Sequence, residues 1–179
     1  KKVLLGATEA VEQANNLKKK GIEKPLTINW KKLQKFKTEF TEPVPENTEK
    51  MLSDLGITLF HQSPKFIDEK TLSVGKKRVT AKTIIIATGH EPRKLSFNGN
   101  GYLQVSDDFL TLKKLPKHIT FLGAGYVGME FAHMAARAGS KVVVLDRGDS
   151  ILHPFDKDLT KELKDYSEKL GIRFIFNAK

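Results

Sequence analysis

Val3, Ala7, Ala10, Val11, Ala14 and Leu17 recur at helical spacing, with polar residues between them and Gly21 beyond, which predicts an opening amphipathic helix. A second helical pattern follows Asn29, a residue suited to capping, with Trp30, Leu33, Phe36 and Phe40 on one side before Pro43 and Pro45 interrupt it. A shorter helix ends near Gly56. From Ile57 the period shortens to that of strands, at Ile57 to His61, Lys65 to Asp68, Thr71 to Val74 and Arg78 to Ala87. This predicts a small antiparallel excursion feeding a buried strand. Gly89 to Pro116, with three glycines, two prolines and little periodicity, reads as a crossover. The remainder alternates: a strand at His118 to Leu122, a helix from Tyr126 to Ala138 closed by Gly139, a strand at Lys141 to Leu145, a helix from Lys157 to Leu170 and a strand at Ile172 to Phe176. Apolar strands alternating with helices predict an α/β fold, a doubly wound parallel sheet of Rossmann type.

Composition narrows the function classes. The 179 residues carry a formal charge of +10 and a sequence pI near 9.7, which raises nucleic acid as a partner. Basic and acidic residues are interspersed along the helices, however, and only Lys18 to Lys20 and Lys76 to Arg78 cluster. Solvated faces account for them, and no nucleic-acid partner is expected. No apolar run reaches the ~20 residues that a membrane helix needs. Cysteine is absent, which excludes disulfides, thiolate nucleophiles and cysteine-bound zinc within these residues and fits a reducing compartment such as the cytoplasm. His61, His90, His118, His133 and His153 lack metal-ligand spacing, so no metal site is expected. Ser63, Ser96 and Ser106 sit in no nucleophile elbow. Phe36, Phe40, Phe121, Phe131, Phe174 and Phe176 fall on apolar faces and are expected in the core.

The chemistry concentrates at Gly123-Ala124-Gly125-Tyr126-Val127-Gly128, between a predicted strand and a predicted helix. In that context the first glycine permits the tight turn, the second lets backbone approach a pyrophosphate, and the third allows close helix–strand packing. Backbone amides and the helix dipole then face the phosphates. Asp146 ends the next strand, 18 residues beyond Gly128, where an acid binds ribose hydroxyls. Asp146 favours NAD, whereas Arg147 beside it could clamp the 2′-phosphate of NADP; NAD is preferred. Upstream, Ile84-Ile85-Ile86-Ala87-Thr88-Gly89 is an apolar strand ending in a small turn, with Pro92 beyond, where backbone could lie close to a ligand.

Such a turn followed by a dinucleotide fingerprint resembles the class I pyridine nucleotide-disulfide oxidoreductases, the group of glutathione reductase, dihydrolipoamide dehydrogenase and mercuric reductase. Lys1 to Leu5 is similar to the segment after that family's redox-active cysteine pair, Ile84 to Pro92 to its ATG segment, Ser106 to Phe109 to its crossover and Phe121 to Ala132 to its nicotinamide-dinucleotide turn. The resemblance covers essentially the whole chain. It implies that residues 1–90 are the C-terminal part of an FAD-binding domain, 91–117 a crossover, and 118–179 the first half of an NAD(P)-binding domain.

The resemblance also implies roles. Ala87, Thr88 and Gly89 would touch FAD, while Gly123, Gly125, Tyr126, Val127, Gly128, Asp146 and Arg147 would hold NAD(P)H. Lys1 would lie beside the flavin N5 and pair with Glu130, and Tyr126 would gate the nicotinamide pocket. Pro64 departs from the pattern: it stands where the family uses a backbone amide toward adenine, and proline has no amide hydrogen. The implied enzyme is an NAD(P)H-dependent flavoprotein disulfide reductase, a homodimer when intact, acting on a small disulfide or thiol. Its cysteine pair lies outside these residues. The residues also fit a flavin NAD(P)H oxidase or ferredoxin-type reductase without a cysteine pair, or a non-enzymatic basic dinucleotide-binding module.

Overall fold

The computed structural model describes residues 1–178. Three helices open the chain: α1 (Lys2–Asn16), α2 (Trp30–Thr41) and α3 (Val44–Asp54). Asn29 caps α2 as its position suggests, its Oδ1 accepting the Lys32 N–H at 3.0 Å. Strands β1 (Pro64–Phe66), β2 (Thr71–Val74) and β3 (Lys77–Thr80) form the antiparallel excursion, in order β1-β2-β3. A short 3₁₀ turn at Asn100–Tyr102 leads to α4 (Ser106–Thr111), and then β4 (His118–Leu122), α5 (Tyr126–Arg137), β5 (Lys141–Leu145), α6 (Lys157–Lys169) and β6 (Ile172–Ile175) alternate. The three later strands pair in parallel, in order β4-β5-β6, with His118 opposite Lys141 and Val142 opposite Ile172.

Contacts group the described residues into two units. One comprises Lys1–Phe40 together with the chain from Tyr102 onward; the other is Thr41–Gly101. These units do not run along the boundaries at 90 and 117 that the resemblance suggests. The reason is α1, which packs on α5 in the same sense, Lys1 meeting Glu130 at one end and Glu12 meeting Arg137 near the other.

The core of the first unit is built around rings. Phe109 of α4 stacks on Phe131 of α5 with centroids 4.5 Å apart and meets Phe121 of β4 edge-on at 5.7 Å. Trp30 closes the cluster at 5.9 Å from Phe109, and its indole N–H donates to the Leu112 carbonyl at 2.7 Å. Ala132, Met134, Ala135, Val142, Val144, Ile151 and Ile172 complete a continuous apolar interior.

Five expectations are corrected. Ile57 to His61 forms no strand, and the predicted strand Arg78 to Ala87 stops at Thr80, leaving Ile85 and Ile86 84% and 72% exposed. An apolar run supplies strand propensity but not a hydrogen-bonding neighbour, and none of the described strands pairs with 81–89. On α1 the buried stripe passes through Leu4 and Thr8 rather than through Ala10 and Leu17. The Thr8 hydroxyl is satisfied locally by donating to the Leu5 carbonyl at 2.8 Å, which lets a polar residue face α5. Phe36 and Phe40 are about half exposed, at 49% and 55%, and pack on each other edge-on instead of entering the core. The crossover, finally, contains the helix α4, whose Phe109 anchors the aromatic cluster.

Candidate functional site

The end of β4 is shaped by two glycines with different duties. Gly123 takes φ +100°, a left-handed conformation that costs a side-chain-bearing residue strain, and turns the chain off the strand while its N–H still pairs with the Leu145 carbonyl at 2.7 Å. At Gly128 an added Cβ would stand 2.3 Å from the Gly123 carbonyl oxygen, so the first turn of α5 lies directly on the strand end. Gly125 differs: nothing lies within 4 Å of where its Cβ would be. Space is therefore open above the turn where the helix begins. Gly125 is the N-cap of α5, no side chain caps the helix and no acid stands in its first turn, which leaves its first amides and the positive end of its dipole directed at that space.

Asp146 stands at the end of β5, within reach of the same turn. Its Oδ2 accepts the Ala124 N–H at 2.6 Å and its Oδ1 accepts the Gly148 N–H at 2.7 Å. Its own backbone continues the sheet, the N–H donating to Ile175 at 2.9 Å. One carboxylate thus ties the glycine turn to the β5 exit, a tie that sequence spacing alone does not reveal. Arg147 is exposed beside it. Val127 packs against the apolar core, and Tyr126 is exposed, its ring 5.9 Å from the Lys1 ammonium. Lys1 Nζ forms an ion pair with the Glu130 carboxylate, both side chains about one-third exposed. Gly123, Gly125, Tyr126, Gly128, Glu130, Lys1, Asp146 and Arg147 all belong to the first unit.

Ala87, Thr88 and Gly89 belong to the second unit. They are exposed and outside any strand, with Gly89 at φ +73° and nothing within 4 Å of its Cβ position. Their backbone is accessible to a ligand. Pro64 opens β1.

The sequence reading did not find the polar network where α1, α5 and α6 meet. Arg137 Nε pairs with Glu12 at 2.7 Å, Tyr166 donates its hydroxyl to the other Glu12 oxygen, and the Tyr166 ring stacks on His133. Ser167 donates its hydroxyl to the Leu163 carbonyl at 2.6 Å, so the Ser167 oxygen accepts from His133 Nε2–H at 2.8 Å. Burial, reinforced by Arg137 and opposed by Glu12, holds the His133 pKa down to about 4, and the hydrogen bond to Glu12 pushes the Tyr166 hydroxyl up. Every polar group in this cluster faces another. It fastens the helices together, and its hydrogen bonds between helices span 34 to 154 positions in sequence, beyond any local pattern.

A family model for pyridine nucleotide-disulphide oxidoreductases matches residues 1–179. Among curated relatives, glutathione reductase of Nostoc sp. is 35% identical over 151 residues, covering 83% of this chain and 32% of the relative. Dihydrolipoyl dehydrogenase of Geobacillus stearothermophilus is 29% identical over 183 residues, 99% of this chain and 39% of the relative. A solved structure, the Cu(II) complex of the HOCl-induced flavoprotein disulfide reductase RclA from Escherichia coli, superposes with a TM-score of 0.83 at 25% identity, covering 99% of this chain and 38% of that one. The chain thus spans between a third and two fifths of the length of these relatives. A glycine turn between strand and helix, on a three-stranded parallel sheet, agrees with a match that runs the whole length: the chain belongs to the pyridine nucleotide-disulphide oxidoreductase family.

Proposed function

We propose that this chain is part of an FAD-dependent NAD(P)H:disulfide oxidoreductase of the glutathione-reductase kind, in which residues 1–90 serve FAD binding and 118–179 begin the NAD(P)-binding domain. The observation that carries this reading is the open space over Gly125 beside the uncapped first turn of α5, with Asp146 at the adjoining strand end. When bound, FAD and NAD(P)H would supply hydride-transfer chemistry for a disulfide outside these cysteine-free residues.

The chain's own residues bind and orient. The amides at the start of α5 hold the pyrophosphate, and Gly125 leaves room for its approach. Asp146 takes the ribose hydroxyls with the lone pairs that Ala124 and Gly148 leave free, which favours NAD over NADP; Arg147 is the residue a 2′-phosphate would use. Ala87, Thr88 and Gly89 offer backbone to FAD. Glu130 fixes the Lys1 ammonium where positive charge favours an electron-rich flavin, and Tyr126 covers the nicotinamide pocket. The intact enzyme is a homodimer in a reducing compartment, the cytoplasm, acting on a small disulfide.

The test is the affinity of the intact flavoprotein for NADH, with and without Gly125→Val. A valine there has space to fold but fills the approach, so the variant should keep its flavin and its melting temperature while losing NADH affinity at least tenfold. Unchanged NADH affinity would overturn the assignment. NADH-dependent reduction of oxygen rather than of a disulfide would favour the oxidase reading.

A further inference from the structure

The first unit has a second concave feature, at the other end of its parallel sheet. A cavity of about 400 Å³ is bounded by the start of α2, by the segment Lys113 to Lys117 ahead of β4, and by the Ala138 to Ser140 turn ahead of β5. The glycine turn follows the last residue of β4, so the five residues of that strand, at ~3.3 Å each, set the two places about 16 Å apart.

Its lining has one sign of charge. Lys31, Lys113, Lys114 and Lys117 all contribute, and no aspartate or glutamate does. Among the described residues none of these four lysines is ion-paired with a carboxylate. Elsewhere on the molecule lysines do find carboxylates, as Lys161 and Lys164 do on α6. Four lysines lining one hollow, with no acid beside them, raise the local anion concentration through their summed field. The amino end of α2 borders the hollow through Trp30 and Lys31, and although the Asn29 side chain takes the Lys32 N–H, no acid in the first turn offsets the dipole. The opposing end of α5 is muted, because Gly139 and Ser140 N–H groups already bond its last carbonyls at 2.9 Å.

Size and charge together select the ligand class. The volume is that of a small-molecule pocket. Several point-charge donors without a planar fork suit spread negative charge on phosphate oxygens. We propose that this cavity is a ligand site separate from the dinucleotide turn, which takes a small molecule bearing two or more phosphate groups. The occupant is a compact polyphosphate rather than a nucleic acid, since the four lysines line one hollow of about 400 Å³ instead of running along a ridge or stripe.

Inorganic tripolyphosphate is the probe, titrated calorimetrically into the intact flavoprotein at low salt. Trp30, the only tryptophan of these 179 residues, lines the cavity and supplies a local fluorescence signal. One equivalent per chain should bind and change the Trp30 emission. Lys113→Glu combined with Lys114→Glu, both at exposed positions, should weaken binding by about tenfold or more. Lys31→Glu, on a different element, should weaken it independently. NADH affinity should stay as it is in all three proteins, which separates this site from the glycine turn. Absence of binding, or equal affinity in the lysine variants (an adventitious ion only), overturns the proposal. So does displacement of tripolyphosphate by a short RNA duplex that binds more tightly at physiological salt.

Discussion

Gly125 and Gly128 lie three positions apart in one turn, and the same small substitution should read differently at each. A methyl at Gly128 would lie 2.3 Å from backbone oxygen, which cannot swing away as a side chain would. Gly128→Ala should therefore cost about 1–3 kcal/mol, seen as a lowered denaturation midpoint, because helix and strand must part to admit it. Gly125→Ala meets open space and should leave the midpoint within about 0.5 kcal/mol. If both lowered it equally, the close approach of α5 to the β4 end would be wrong. Asp146 carries a second prediction. Its two backbone amide bonds make it part of the turn's scaffold, so Asp146→Ala should lower stability by about 1–3 kcal/mol even without nucleotide. It should also weaken NADH more than NADPH, measured as separate dissociation constants, since only the former relies on an acid at the ribose. A larger loss for NADPH would reverse the cofactor preference.

Between elements, the decisive contact is the one that joins α5 and α6 through His133 and Ser167. His133 faces Tyr166 and Ser167 from α6, Arg137 from its own helix and Glu12 from α1. Its pKa of about 4 in the folded protein lies below the ordinary 6.5, so between those values the unfolded chain takes up a proton that the folded one refuses. Stability from this group is complete above about pH 6.5 and falls as pH drops toward 4, by at most about 1.4 kcal/mol per pH unit. Thermal denaturation from pH 7 to 4.5 should show that decline, and His133→Gln, which keeps a donor near Ser167 but does not titrate, should flatten it. An equal slope in the variant would assign the acid sensitivity elsewhere. Sequence periodicity found β4 and β5 to the residue and α6 to within one at its end, because apolar strands and glycine stops are local signals. It misplaced the buried face of α1 because Thr8, Glu12 and Asn15 face inward with satisfied partners: the Leu5 carbonyl, Arg137 and the Leu26 backbone. Two of those three partners lie on other segments, and hydropathy records a polar residue without recording what meets it.

Across the whole molecule the fingerprint from Gly123 to Asp146 was legible because its glycines answer to backbone geometry within a few residues, whereas the strand expected at Arg78 to Ala87 was not, because a strand is completed by its neighbour. Ile85 and Ile86 stand exposed, and the stretch after β3 pairs with none of the described strands. Burying two such side chains would contribute about 3–6 kcal/mol, a large incentive to associate. On the proposed reading this segment docks on the rest of an FAD-binding domain and presents Ala87, Thr88 and Gly89 to the cofactor. Hydrogen exchange on the intact protein, with FAD bound and after its removal, tests that directly. Amides from Ile84 to Gly89 should be protected in the flavin-loaded protein and exchange markedly faster once the flavin is stripped. Those of Val142 to Leu145, held on both sides by β4 and β6, should stay protected in both states. Loss of protection at β5 as well would mean that flavin holds the entire fold together. Unchanged exchange at Ile84 to Gly89 would mean that this turn does not touch the flavin, and the role given to Ala87, Thr88 and Gly89 would fall while the nicotinamide turn, which rests on separate geometry, stood.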